Sequence, residues 1–525
     1  MKKKTILDKI MTSGIWVQPI ALIVIVKYFQ ENDPRYLMDN ENWGICLLLS
    51  FIPVLFIWSE SIGKPSATEA ITGKHKAMYP RIPKELLRKE LTGTIPLGWD
   101  KRSKSYVCKP LEEDGHVFLI GGSGSGKSSA YVIPALLVNK KTRVFAVDIK
   151  GELALKSAKY GSKDVLIFNP LDRSKYGYDP FYNLTEKSTT QQIMETMQTI
   201  TYSLISMPAG LKDPFWKTSA RNLLIGLLIY YYKQGISDFV GIIDEILSRP
   251  VKESIQEVME NAQSKSVEYR YIVQFSEMED ETLGGIVAEM NNHIVIFSND
   301  QDIRYAFKDN SCKLHPLKLE EGYSIYLSVM EEKLSAYYDV MQLIINQTLS
   351  QLEKRPENSE PVIFIIDELP RILSAGKIDR LLDGARTLRS RKVCLYLITQ
   401  STEALMSAFT ENEVADLISN CPYIIVLSAS SNKTQKTVCT WCGKYRARKK
   451  SWSGGSNKDK KTTVSFEDMD IVEPSDLVTL KDKGEAILIT PYGYIRVKKN
   501  PYYKDKYMAP IAEEIYKYNT TVANM

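Results

Sequence analysis

The chain has 525 residues, of which 44% are hydrophobic and 25% charged, and a net charge of +5. This length fits two or three domains, and the composition is that of globular protein, not of a disordered or fibrous chain. A charge this small leaves any basic surface local, and seven cysteines, an odd number in a long chain, do not make a disulfide framework.

The N-terminal stretch differs from the rest. Lys2, Lys3 and Lys4 precede an uncharged run from Met11 to Val26, and a second runs from Trp43 to Ser59. Each lies at the short end of what crosses a bilayer. Trp16, Trp43 and Trp58 stand where interfacial aromatics belong. Glu31, Asp33, Asp39 and Glu41 fill the segment between, while Lys64, Lys74, Lys76 and Arg81 follow the second run. Two transmembrane helices with both ends in the cytoplasm are expected over residues 1–62. A cleaved signal peptide and a pair of buried core helices are the alternatives.

Residues 63–115 are a polar approach punctuated by prolines, with a possible hairpin from Gly98 to Cys108. Val117–Ile120 then reads as a buried strand. It runs into Gly121-Gly122-Ser123-Gly124-Ser125-Gly126-Lys127-Ser128-Ser129 and a helix-competent stretch. The eight residues from Gly121 form G-x-x-x-x-G-K-[ST]. Glycines let backbone N–H groups turn inward on phosphate oxygens, and the following helix N-terminus adds positive charge. Lys127 would reach the β- and γ-phosphates and the Ser128 hydroxyl would ligate Mg²⁺. Arg143–Asp148 reads as a second buried strand, with Asp148 and Lys150 at its ligand-facing end, and Val165–Phe168 as a third.

From Thr185 to about Asn299 the pattern is helical. Asp213-Pro214 opens the apolar run Phe215–Lys233, whose uncharged core is too short for a membrane span. Strand signals resume at Tyr323–Val329, and Tyr337–Leu352 reads as a helix. Pro361–Glu368, PVIFIIDE, is a strand buried on both faces that ends in acid. Asp367 would hold the Mg²⁺ shell and Glu368 would polarise the attacking water, so hydrolysis of ATP is expected. A helix bearing Arg380, Arg386, Arg389 and Arg391 is expected to lead to strand Val393–Ile398. The Gln400 amide beyond its end can sense the γ-phosphate or its water. After Tyr423–Leu427, Cys439 and Cys442 make a lone C-x-x-C, read as reduced thiols in a reducing compartment. Lys444–Lys461 is read as a mobile basic loop able to touch a nucleic-acid backbone, with Trp452 free to stack. A hairpin at Ala486–Val497 closes the sheet signals, and the tail after Pro510 shows no feature.

Taken in order, HVFLIGGSGSGKSSAYVIPALL, VDIKGEL, FNPLD, YNL, DPFWKTSARNLL, FIIDELPRI, RSRKVCLYLITQS and EPSDLVTL…KNPYY resemble the type IV secretion coupling proteins of the TraG/TraD type. The resemblance implies an α/β fold: a RecA-like P-loop NTPase domain with an inserted all-α domain and two N-terminal transmembrane helices in a bacterial inner membrane. Boundaries follow as anchor 1–62, nucleotide-binding parts 63–184 and 300–510, all-α domain 185–299 and short tail 511–525. It also implies a homo-hexamer that passes single-stranded DNA, or a relaxase–DNA complex, to the secretion channel proteins. Arg389 or Arg391 would then act in trans on a neighbour's nucleotide. A septal DNA translocase of the FtsK type and an ATP-dependent protein-secretion or assembly scaffold are the competing readings.

Overall fold

The computed structural model describes residues 22–23, 27, 74, 77–139, 142–159, 164–207, 211–374, 376–453 and 461–523. The two expected N-terminal spans therefore lie outside the described residues, apart from Leu22, Ile23 and Lys27. Among the described residues no helix is long and apolar enough to cross a membrane. The chain divides into two compact units, Tyr79–Gly443 with Val472–Met525, and Met1–Met78 with Lys444–Ile471.

The strands are β1 (Leu87–Arg88), β2 (Thr94–Asp100), β3 (Ser105–Pro110), β4 (Val117–Ile120), β5 (Arg143–Asp148) and β6 (Val165–Phe168), then β7 (Gly177–Tyr178), β8 (Lys313–Leu314), β9 (Ser324–Ser328), β10 (Val362–Ile366), β11 (Val393–Thr399) and β12 (Tyr423–Val426). They are followed by β13 (Lys444–Ser453), β14 (Lys461–Asp470), β15 (Glu485–Thr490) and β16 (Gly493–Lys498). In the larger unit one 12-stranded sheet runs β1-β3-β2-β16-β15-β12-β4-β11-β10-β5-β9-β6. Its half from β12 to β6 is parallel throughout. Helices cover both faces there, so β4, β10, β11 and β12 are buried at every position. That is why their sequences are apolar runs without alternation. Phe145 and Phe364 stack across β5 and β10 with ring centroids 4.6 Å apart.

The other half is antiparallel. The β15–β16 hairpin joins β12, and the β2–β3 hairpin joins β16 through Lys498 and Trp99. Two reversals make β16 run in the direction of β4, so both strands end on the same edge of the sheet.

The helical insert leaves the sheet through β7 and returns through β8, which pair in parallel and stitch its neck. Its first helix, Thr190–Leu204, starts with a reciprocal capping box between Thr189 and Gln192. Phe215–Lys233 is its central helix, with Leu223 through Tyr231 all buried. The Asp213 carboxylate accepts the Phe215 N–H at 3.0 Å. At Gly226 a Cβ would stand 2.6 Å from Ile272 Cδ1, so glycine is what admits the helix Val267–Ile272 so closely.

Two readings are corrected. The basic stretch from Lys444 is strand, not loop: β13 and β14 pair antiparallel over ten residues each. Lys444 stands opposite Asp470 and Arg446 opposite Asp468, cross-strand charge pairs that favour a ladder. The Arg446 guanidinium lies 5.0 Å from the Phe466 ring centroid. The tail after Pro510 belongs to a helix, Met508–Ala523, which buries Met508, Ala512 and Ile515. Asn519 Nδ2 donates to the Leu155 and Ala158 carbonyls at 2.9 and 2.6 Å, satisfying the open end of the helix Glu152–Ser157.

Candidate nucleotide site

β4 delivers the phosphate loop to the edge where the parallel strands end. Gly124 and Gly126 have φ of +65° and +92°, a region where a side chain would be strained. The loop is anchored at its start: Gly121 N–H donates to Thr399 O at 3.0 Å and Gly122 N–H to Ser428 Oγ at 3.1 Å. Beyond Lys127 the chain winds as a π turn over Ser128–Val132 before the helix Ile133–Val138, with Ile133 N–H bonded to Ser128 O. Pro134 in the first turn has no N–H to give, which favours the wider turn. Ser123 and Gly124 are exposed, and Ser128 and Ser129 are half-buried.

Lys127 is buried and donates from Nζ to the Gly121 and Gly122 carbonyls at 2.9 and 3.3 Å. Burial pulls its pKa below the ordinary lysine value, against the pull of Asp367 and Glu368. The Ser125 hydroxyl is buried with no hydrogen-bond partner, and Lys499 Nζ donates to the Ser125 carbonyl at 2.9 Å.

Two strands over in the sheet, β10 ends in Asp367 and Glu368. Burial, then the charges of Glu368 and Asp148, pushes the Asp367 carboxyl up to about 7, and its Oδ1 is buried without a partner. Burial likewise raises Asp148, at the end of β5, to about 6, although its Oδ2 accepts the Ala154 N–H at 2.9 Å. A crowded acidic pair with an orphaned oxygen is the environment a divalent cation relieves, so Asp367 and the Ser128 hydroxyl fit Mg²⁺. Glu368 adopts a left-handed backbone, φ +63°, which costs a non-glycine residue about 1–3 kcal/mol. Its carboxylate is held on both sides, by Lys150 Nζ at 3.2 Å and Arg371 Nε at 3.1 Å, and Arg371 also grips Glu331.

β11 lies between β4 and β10 with Thr399 paired to Ile120, so Gln400 follows in step with Gly121. Gln400 is exposed and lines a cleft of about 440 Å³ with Arg371, Glu331 and Ser374. Arg389 and Arg391 sit before β11, at the opposite end of the sheet. The seven residues of β11 separate them from Gln400 by about 23 Å. Neither forms an ion pair among the described residues. Cys439 and Cys442 are buried, outside any disulfide, in the last turn of the helix Asn432–Cys442.

The structure thus brings together the loop Gly121–Ser129, Asp367, Glu368 and Gln400, and leaves Arg389 and Arg391 outside that group. Sequence reasoning marked Asp148 and Lys150 only as strand-end residues. It missed the Arg371 clamp, Ser428 and the two lysines beside the loop, Lys481 and Lys499. Lys499 lies 374 positions from its Ser125 partner, and no local pattern signals such a contact.

The chain matches, over residues 70–524, the family described as Type IV secretory system Conjugative DNA transfer. Protein VirD4 of Rhizobium rhizogenes is 22% identical over 413 residues, covering 76% of this chain and 60% of that protein. Protein VirD4 of Agrobacterium fabrum is 21% identical over the same shares. The chain therefore spans about three fifths of the length of these curated relatives. Among solved structures, the unbound conjugative coupling protein TrwBdeltaN70 superposes with a TM-score of 0.63 at 16% identity, over 82% of this chain and 91% of that one. The plasmid coupling protein TrwB in complex with the non-hydrolysable ATP analogue ADPNP gives 0.60 at 16% identity, over 82% and 92%. The fold is that of TrwB, the RecA-like P-loop α/β fold, and the chain belongs to the type IV secretory system conjugative DNA transfer family.

Proposed function

We propose that this chain is a coupling ATPase that hydrolyses ATP to drive single-stranded DNA into a type IV secretion channel. The observation that carries the ATPase reading is the buried, unpaired Asp367 oxygen on the same sheet edge as a glycine-turned loop and its Lys127. The solved structure of TrwB with ADP and Mg²⁺ supports the ligand class, and family membership supports the DNA cargo.

On this reading Lys127 leaves the Gly121 and Gly122 carbonyls for the β- and γ-phosphate oxygens. N–H groups of Ser123, Gly124, Gly126, Ser128 and Ser129 surround the phosphates. Ser128 and Asp367 hold Mg²⁺, which neutralises charge on the phosphates. Glu368 releases Lys150 and Arg371 and takes a proton from the attacking water, which Gln400 orients. The position of Arg389 and Arg391 at the far end of β11 suits action in trans, each protomer completing its neighbour's site in a homo-hexameric ring. Residues 1–62 anchor the ring in the bacterial inner membrane with the large domain in the cytoplasm. There it meets a relaxase or other DNA-processing proteins and the channel proteins. β13 sets Lys444 and Arg446 at alternate positions of the ribbon, which suits contact with a phosphate backbone.

The test is ATP turnover of the detergent-solubilised full chain with and without single-stranded DNA. Stimulation by DNA, abolished by Lys127→Ala with the fold intact, is the expected outcome. Turnover indifferent to DNA would favour a protein cargo, and undiminished turnover of Lys127→Ala would remove the assigned site.

A further inference from the structure

The segment EPSDLVTL…KNPYY has no part in the mechanism above, yet the fold brings it to the phosphate loop. β15 and β16 reverse the chain twice beside β12, so the helix Pro474–Lys483 and the residue after β16 both end on the nucleotide edge. Lys499 Nζ lies 2.9 Å from the Ser125 carbonyl. A Cβ on Gly124 would stand 3.2 Å from Lys481 Nζ. Two ammonium groups thus flank the crown of the loop.

Their neighbours behave differently. Lys483 pairs with Asp476 and Lys498 with Glu485. Lys481 and Lys499 make no ion pair among the described residues. Lys499 is half-buried, and burial followed by the charge of Lys481 lowers its pKa to about 8, with only Asp482 opposing. Two like charges crowded beside a partly dry loop are unfavourable until an anion arrives. The hydroxyl of Ser125 itself is buried and without a partner.

We propose that Lys481 and Lys499 are phosphate-binding residues, a second cationic arm that grips the nucleotide's phosphate chain opposite Lys127. The inference rests on the nucleotide reading of the loop. The arm binds ground state and transition state alike, so it sets affinity more than rate. It also ties the C-terminal segment to nucleotide occupancy, because Lys499 exchanges the Ser125 carbonyl for a phosphate oxygen when the site fills.

The experiment uses the full chain and measures the Kd of ADP with Mg²⁺, then kcat, for Lys481→Met, Lys499→Met and Lys499→Arg. Loss of one charge-assisted contact at a half-screened position should weaken ADP about five- to tenfold in each Met variant, with kcat within about twofold. Lys499→Arg should recover most of the affinity, which a role in packing alone would not require. Lys481 is exposed, so its variant tests the arm even where Lys499→Met perturbs folding. Wild-type affinity in both Met variants, with binding lost in Lys127→Ala, would overturn the arm and leave the nucleotide site standing. Unchanged ADP affinity in Lys127→Ala as well would place the nucleotide away from the loop and overturn the nucleotide reading of it.

Discussion

Arg371→Ala tests how the proposed catalytic base is controlled. Glu368 is only 11% exposed and is fixed on one side by Lys150 and on the other by Arg371. Cations on both sides stabilise the charged carboxylate and make it a weaker base toward water. Arg371 Nε stands at ion-pair distance, 3.1 Å, while Glu368 Oε2 is buried without a hydrogen-bond partner, so the hold is electrostatic. Arg371 is 44% exposed, so solvent screening brings its share down to about 1 kcal/mol. Removing that hold should raise DNA-free ATP turnover about fivefold. The assay is phosphate release by the full chain at saturating ATP and Mg²⁺ without DNA. The difference from wild type should shrink as salt weakens the wild-type clamp. Turnover at or below wild type would refute the reasoning, because it would mean that Arg371 aims Glu368 at its water.

Three further outcomes follow from the same geometry. With Asp367 titrating near 7, a proton competes with Mg²⁺ below that pH; the Mg²⁺ needed for half-maximal turnover should rise about tenfold from pH 8 to pH 6, and a constant requirement would contradict the assignment. His116 accepts the Leu395 N–H at Nδ1 and donates from Nε2 to Ala385 O, and burial lowers its pKa to about 4. The folded state then binds fewer protons than the unfolded one between pH 4 and 6.5, so stability is full above 6.5 and falls as pH drops, by on the order of 3 kcal/mol. His116→Gln should flatten that slope in urea titrations. Asn519→Ala should cost about 1–3 kcal/mol by leaving the Leu155 and Ala158 carbonyls unsatisfied; an unchanged urea midpoint would show that the C-terminal helix is not held by this contact.

The parallel half of the sheet was legible in the amino-acid sequence because its causes are local. A strand covered on both faces must be an uninterrupted apolar run, so β4, β5, β10, β11 and β12 could be placed almost to the residue. The phosphate loop was legible because its turns demand glycine at Gly124 and Gly126. β13 and β14 were hidden because cations on a ladder look like a solvated loop until the acidic partner strand is in register. The Met508–Ala523 helix was hidden because a short amphipathic tail has meaning only against the helix it covers.

Sequence alone determined the loop, the acid pair Asp367 and Glu368, and the polar end of β11, since each is a strand and the few residues after it. Tertiary structure decided which of them meet and under what charge. Strand order set β11 between β4 and β10 and so put Gln400 beside the loop, while the length of the same strand held Arg389 and Arg391 away from it. The double reversal of β15 and β16 carried Lys481 and Lys499 to Gly124 and Ser125. Packing of β5 against β10 placed Lys150 against Glu368 and Asp148 near Asp367. Backbone conformation is fixed by neighbours in the chain, but electrostatic environment is fixed by neighbours in space, and only folding supplies those.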